Sequence, residues 1–262
     1  MDSSLEPLQW LMMLGLMQAR GFGVLLAIPV LLKPGRGWKV RLPLALAIAL
    51  PSLPAIDAVQ QLSGAAWIFI ALKELAVGAV VGAVFMPLFL VAREAGVLVD
   101  QQAGLMMMQL LDPTSAERQA TVFADAFEQC TLVVFLGAGG LAALADLYAT
   151  SHLVWPVGGG GGPSLDIATR LLLQGLDELM RAALRLSSPF LFILIVLEVG
   201  LGLLGRAAPQ WNVMTSSISV KLLVTLLIGM AVAEPMASAL ESMVPALAAQ
   251  GESFMHGIRG VR

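Results

Sequence analysis

Charge is scarce in this sequence. Asp, Glu, Lys and Arg together make up 13% of 262 residues and nearly cancel, to a net -3, where an average soluble domain carries about 25%. No basic field exists to attract a phosphate backbone, so the composition excludes nucleic-acid binding, and no acidic block exists to act as a solvating tail. Cysteine occurs once, at Cys130 in an apolar run. That excludes a disulfide framework and a CxxC pair, and the setting predicts a buried structural thiol. The two histidines, His152 and His256, lie far apart and outside any HExxH pattern, so neither a metal site nor a cofactor is expected. The chain has no GxSxG elbow, and no Lys-Ser/Thr follows the run Gly158 to Gly162, which removes a phosphate loop and leaves a flexible linker. No enzyme chemistry is expected.

What is abundant is apolar surface. Hydrophobic residues make up 58% of the chain and the mean hydropathy is +0.86, values that fit a multi-spanning membrane protein. No Lys or Arg precedes Arg20, so the positive n-region of a cleaved signal is absent and the first apolar segment is expected to be kept. Charges nevertheless interrupt the apolar runs at short intervals, and among those runs only Leu75 to Ala92 reaches 18 residues without one. Because an ionisable group in hydrocarbon costs several kcal/mol unless it faces protein or water, such helices are expected to be shielded by other subunits.

The pattern is helical throughout, with no strand-type alternation, and predicts an all-α fold. Leu8 to Leu32 forms one apolar region with Gly15, Gly21 and Gly23 as close-packing points, leading into the basic loop Lys33, Arg36, Lys39 and Arg41. Leu42 to Leu50 follows and ends at Pro51-Ser52-Leu53-Pro54. Leu62 to Val99 reads as one long or broken helix, with Gly78 and Gly82 at small-xxx-small spacing and a kink at Pro87. A further helix is expected from near Ser115, carrying Arg118, Asp125 and Glu128. Asp125 and Glu128 share one face, read as solvated or at an interface. Beyond the linker, Ser164 to Leu186 reads as an amphipathic helix with Ser164 as its cap. Two apolar helices, Pro189 to Leu204 and Ile218 to Val232, then form a hairpin. Glu198 and Lys221 lie at similar distances from its turn, so a buried ion pair is geometrically open to them; a neighbouring subunit could equally supply the partner.

Three segments together resemble one family. Glu94-Ala95-Gly96-Val97-Leu98-Val99-Asp100-Gln101-Gln102-Ala103-Gly104 closes a long apolar helix, Leu111-Asp112-Pro113 follows, and Leu204-Gly205-Arg206-Ala207-Ala208-Pro209-Gln210-Trp211-Asn212-Val213 precedes Lys221. In order and spacing they are similar to the T/R subunit family of the type III secretion export apparatus, found in injectisomes and flagella. The resemblance implies a multi-pass protein of the bacterial inner membrane, built as a P-subunit-like part over 1–157, a Gly-rich linker over 158–163 and a Q-subunit-like hairpin over 164–262. It also implies partners: the P and Q export-gate subunits in a helical hetero-oligomeric ring, the larger export-gate subunits, unfolded secreted proteins as substrates, and membrane lipid.

Carried onto this sequence, the family's pore plug falls on Gly104 to about Thr121, with Gly104, Met106, Met107, Met108, Leu110, Leu111 and Pro113 as its residues. Unbranched thioether side chains suit a yielding seal, although the same methionines would equally serve core packing. Subunit contacts fall on Glu94, Asp100, Gln102, Glu198, Arg206, Pro209, Gln210, Asn212 and Lys221; for Arg206 and its neighbours the other reading is a polar turn with a snorkelling arginine. The D-Q-Q-x-G stretch and the short C-terminal tail favour the injectisome branch. A small-molecule secondary transporter, whose intramembrane charges would look similar, is the alternative from another class.

Overall fold

The structure is a computed structural model that describes residues 7–28, 66–105, 122–157, 165–208 and 213–260. The described residues form seven helices and no strand: α1 (Pro7–Ala27), α2 (Ala66–Ala83), α3 (Met86–Ala103), α4 (Val122–Gly137), α5 (Gly140–Val154), α6 (Leu165–Ala207) and α7 (Val213–Gly260). The expected all-α architecture is what is found. The basic loop Lys33 to Arg41, the segment Leu42 to Leu50, the Pro51 to Pro54 stop, Ser115, Arg118, the Gly158 to Pro163 linker and the Ser164 cap lie outside the described residues. Among the described residues two helices, Leu179–Ala207 and Ser217–Ile258, are long and apolar enough to cross a membrane, and up to four crossings result if α2 with α3 and α4 with α5 each count as one broken span.

Both breaks have local causes. Pro87 sits in the first turn of α3, and a proline ring clashes with the carbonyl four residues earlier. That carbonyl belongs to Ala83, the last residue of α2. The chain tightens there through i→i-3 bonds, Val84 N to Val81 O at 3.4 Å and Phe85 N to Gly82 O at 3.1 Å. The break expected at Pro87 is therefore present. Between α4 and α5 the chain turns at Gly139, whose φ of 75° is a left-handed conformation open to glycine at little cost.

The chain forms two compact units. One comprises Met1–Pro87, Phe135–Gly175 and Met243–Arg262; the other comprises Leu88–Val134 and Leu176–Ser242. In the first unit α1 packs on α2 and α2 on α5. Glycine sets the α1–α2 spacing: a Cβ on Gly23 would stand 2.8 Å from the Ala79 nitrogen, and one on Gly82 would stand 2.8 Å from the Ala27 Cβ. Gly15, by contrast, meets nothing within 4 Å. Val24, Leu25, Ile28, Val77 and Val81 are buried in this unit, and Phe85 meets Phe135 edge-on at 5.4 Å.

A charge sits in the middle of this apolar packing. Arg20 is fully buried, and its Nε donates to Glu74 Oε2 at 2.6 Å, its Nη1 to Ser151 Oγ at 3.0 Å and its Nη2 to the Trp155 carbonyl at 2.8 Å. One guanidinium thus joins α1, α2 and the end of α5. Lys73 adds a bond to the next carbonyl, Pro156 O, at 3.0 Å, so two cations face the carbonyls at the C-terminal end of α5, where they interact favourably with the helix dipole.

The C-terminal third departs from expectation in helix length. Instead of an amphipathic helix followed by a new one at Pro189, α6 runs unbroken for 43 residues with Pro189 inside it. Proline removes the donor that would reach the carbonyl four residues back, that of Arg185. The Ser188 hydroxyl supplies a replacement, donating to Arg185 O at 2.8 Å, while Ser187 Oγ donates to Ala183 O at 2.9 Å. Likewise α7 continues to Gly260, well beyond Val232.

The Arg20 network gives a stability prediction. Glu74→Leu strands a buried guanidinium and is expected to cost about 3–5 kcal/mol, read as a lower unfolding temperature in detergent. Arg20→Met combined with Glu74→Leu should recover most of that loss.

Candidate functional site

The second unit brings several of the sequence-selected residues together. On α3, Arg93, Gly96 and Asp100 fall at spacings of three and four, so they share one face. That face meets α4. Arg93 Nη1 pairs with Glu128 Oε2 at 3.3 Å. A Cβ on Gly96 would stand 2.6 Å from the Ala124 nitrogen and 2.7 Å from the Phe123 carbonyl. Asp100 accepts the Phe123 N–H on Oδ1 at 2.9 Å and the Ala124 N–H on Oδ2 at 3.0 Å. The glycine admits the neighbouring backbone, and the aspartate one turn later satisfies two of the N–H groups that every helix start leaves unpaired. The face of Arg93, Gly96 and Asp100 is thus a helix-joining device, with Asp100 and Glu128 both fully buried.

This corrects two expectations. Glu128 is not on a solvated face; it is buried against Arg93, while Asp125 is half-buried. Cys130 is exposed rather than buried, because the inward positions of α4 are Phe123, Ala124, Phe127, Glu128 and Thr131.

A second polar cluster joins α3 to the hairpin of α6 and α7. Gln102 Nε2 donates to Glu198 Oε2 at 2.7 Å, and Lys221 Nζ lies 3.4 Å from Glu198 Oε1. Glu198 therefore bridges the end of α3 and the start of α7. The pair at matching distances from the turn is present, but it is not buried on both sides: the Lys221 side chain is 11% exposed and the Glu198 side chain 58%. So exposed a pair contributes less than about 1 kcal/mol. Around it, Ile195, Val196, Val199 and Leu203 of α6 and Leu223, Leu226, Leu227 and Met230 of α7 are also exposed.

Of the remaining selected residues, Glu94 is half-buried on α3, Gly104 turns the chain out of α3 with φ 84°, and Arg206 is exposed in the last turn of α6. Met106, Met107, Met108, Leu110, Leu111, Pro113, Pro209, Gln210 and Asn212 lie outside the described residues. Sequence reasoning missed the Arg93–Glu128 pair, although the spacing of Arg93 to Gly96 and Asp100 was a usable signal. It also missed Arg20, which nothing local marks as buried. Among the described residues no group of three or more His, Cys, Asp or Glu is arranged to hold a metal ion.

These features define a class: a helical membrane protein whose few polar side chains join helices and whose apolar faces stand open. Residues 11–247 match the family described as Bacterial export proteins, family 1. The chain is 32% identical to the surface presentation of antigens protein SpaR of Salmonella typhimurium over 156 residues, covering 60% of this chain and 57% of that one. It is 29% identical to the flagellar biosynthetic protein FliR of Escherichia coli over 211 residues, 78% of this chain and 79% of that one. To the Yop proteins translocation protein T of Yersinia pestis it is 26% identical over 149 residues, 57% of each chain. The chain belongs to this family, the T/R subunits of the type III export apparatus. The family is a structural component of that apparatus, not an enzyme.

The α3–α4 joint predicts a contrast between two glycines. Gly96→Ala forces the helices apart and should cost about 1–3 kcal/mol, whereas Gly137→Ala, which meets nothing within 4 Å, should be neutral or stabilising. Thermal unfolding of the two variants in detergent checks the difference.

Proposed function

We propose that this protein is a gate component of an injectisome-type export apparatus, assembled with the P and Q subunits around a pore for unfolded secreted proteins. Residues 104–121 form the plug that closes the lumen at rest, with Met106, Met107, Met108, Leu110 and Leu111 as its packing surface between Gly104 and Pro113. Glu94, Asp100, Gln102, Glu198, Arg206, Pro209, Gln210, Asn212 and Lys221 are the residues that set subunit contacts, directly or by fixing the helices that make them. In this arrangement residues 1–157 correspond to a P-like part and 164–262 to a Q-like hairpin. The D-Q-Q-x-G stretch at Asp100 to Gly104 supports the injectisome branch.

The observation that carries the reading is the open face of the hairpin. Only 11% of the most apolar 18-residue window is buried in each of the two long helices, so something must cover them. Lipid alone is a poor cover, because Glu198 is 58% exposed within that apolar face and a carboxylate facing hydrocarbon costs several kcal/mol. Gln102 and Lys221 each engage one of its oxygens, and a protein neighbour removes the remaining cost by covering the exposed side. Energy for transport comes from other components, since this chain carries no nucleotide-binding motif.

Two experiments test the proposal. Native mass spectrometry after co-expression with candidate P and Q subunits should give one defined hetero-oligomer containing this chain; a monomer or homodimer under those conditions refutes the assembly. Deleting Met106 to Leu111 should leave assembly intact and raise the resting ion conductance of the reconstituted complex. An assembled deletion that conducts no more than the parent refutes the plug.

A further inference from the structure

We infer that the two helix breaks of the first unit form one coupled joint, and that the C-terminal segment of α7, residues 243–260, is the strap that holds it. The inference does not rest on the proposed gate.

The breaks meet. Phe85, in the tightened turn between α2 and α3, is fully buried and packs edge-on against Phe135, near the end of α4. Phe135 in turn lies against the second break, where a Cβ on Gly140, the first residue of α5, would crowd its ring. At the first break the bonds that replace the helical ones are i→i-3 contacts at 3.4 and 3.1 Å, a poorer geometry than the α-helical bond. Packing must therefore fix what the backbone holds only weakly.

The end of α7 supplies that packing. Val244, Gly251 and Met255 are buried, at spacings of seven and four that place them on one helix face, whereas Gln250, Glu252, Ser253 and His256 are exposed. Gly251 lies over both broken pairs at once. A Cβ there would stand 2.9 Å from Val84 Cγ1, at the first break, and 3.0 Å from Leu147 Cδ2, two turns into α5. Both of those side chains are buried. The inward residues of the strap carry no polar side chain, so it grips by fit alone, and dispersion contacts fall away steeply when a gap opens. Seated on Val84 and Leu147, the strap removes the freedom of each break to bend separately, so the two move together or not at all.

Gly251→Leu in the full chain tests this, with Gly257→Leu as the control because nothing lies within 4 Å of a Cβ added there. Hydrogen exchange in detergent micelles is read at residues 82–86, at 137–141 and, away from the strap, at 70–75 around Glu74. Gly251→Leu should speed exchange about 10-fold at both breaks, the scale of overpacking, and leave 70–75 unchanged. Gly257→Leu should change none of the three. One break responding without the other refutes the coupling, and no response at either refutes the contact. Acceleration of all three regions together refutes the strap, because the whole unit has then loosened. A milder pair decides the matter where Gly251→Leu does not fold. Gly251→Ala adds one methyl group and should speed both breaks by a smaller factor, and adding Val84→Ala removes the atom that methyl meets and should slow both again. A Gly251→Ala chain that exchanges like the parent, or a double variant that exchanges no more slowly than Gly251→Ala, refutes the strap.

Discussion

A charge enclosed by apolar helices has to be matched within the protein, and the rest of this structure depends on how that demand is met. Arg20 engages Glu74, Ser151 and the Trp155 carbonyl, and a single residue thereby fixes three helices of the first unit. Asp100 does the same for two helices of the second unit by taking backbone N–H groups rather than a cation. Between lipid-facing helices the hydrophobic effect supplies little drive, because the surroundings are as apolar as the side chains. Shape and hydrogen bonds must supply it instead. The glycines at 23, 78 and 82 give the shape in the first unit and Gly96 gives it in the second.

The helical breaks follow the same economy of means. Pro87 ends α2 at the one carbonyl its ring would strike, yet Pro189 ends nothing. At Pro189 the preceding Ser188 returns a hydroxyl to the carbonyl that proline leaves without a donor, a group that Met86 lacks before Pro87. Pro235 and Pro245 also lie inside the unbroken α7, so a proline does not by itself end a helix in this fold.

Much of this was legible in the sequence, and what was not has a physical reason. Helical periodicity, the break at Pro87 and the close approach at Gly78 and Gly82 depend on residues near one another in the chain, and they were readable there. The Glu198–Lys221 pair was also readable, because an antiparallel hairpin equates distances from its turn. Its exposure was not, since that depends on which side of α6 the α7 helix occupies. Arg20 and Glu128 were illegible as buried groups because their partners are 54 and 35 residues away. Cys130 was misplaced for a related reason: an apolar run long enough for a membrane hides its own inward face, and only the neighbours of α4 decide it. The length of α6 was missed because the change from an amphipathic to an apolar pattern at Pro189 reads as a boundary, and the Ser188 bond to the Arg185 carbonyl is not visible in that pattern.

The exposed carboxylate on the hairpin has one more consequence. A copy of this chain alone in a bilayer carries a polar blemish on an otherwise greasy surface, and a copy with that face covered does not. The difference is chemical and local, so it can be sensed without any knowledge of what the finished complex looks like. In the proposed assembly, Glu198 is thus what distinguishes a solitary subunit from a seated one.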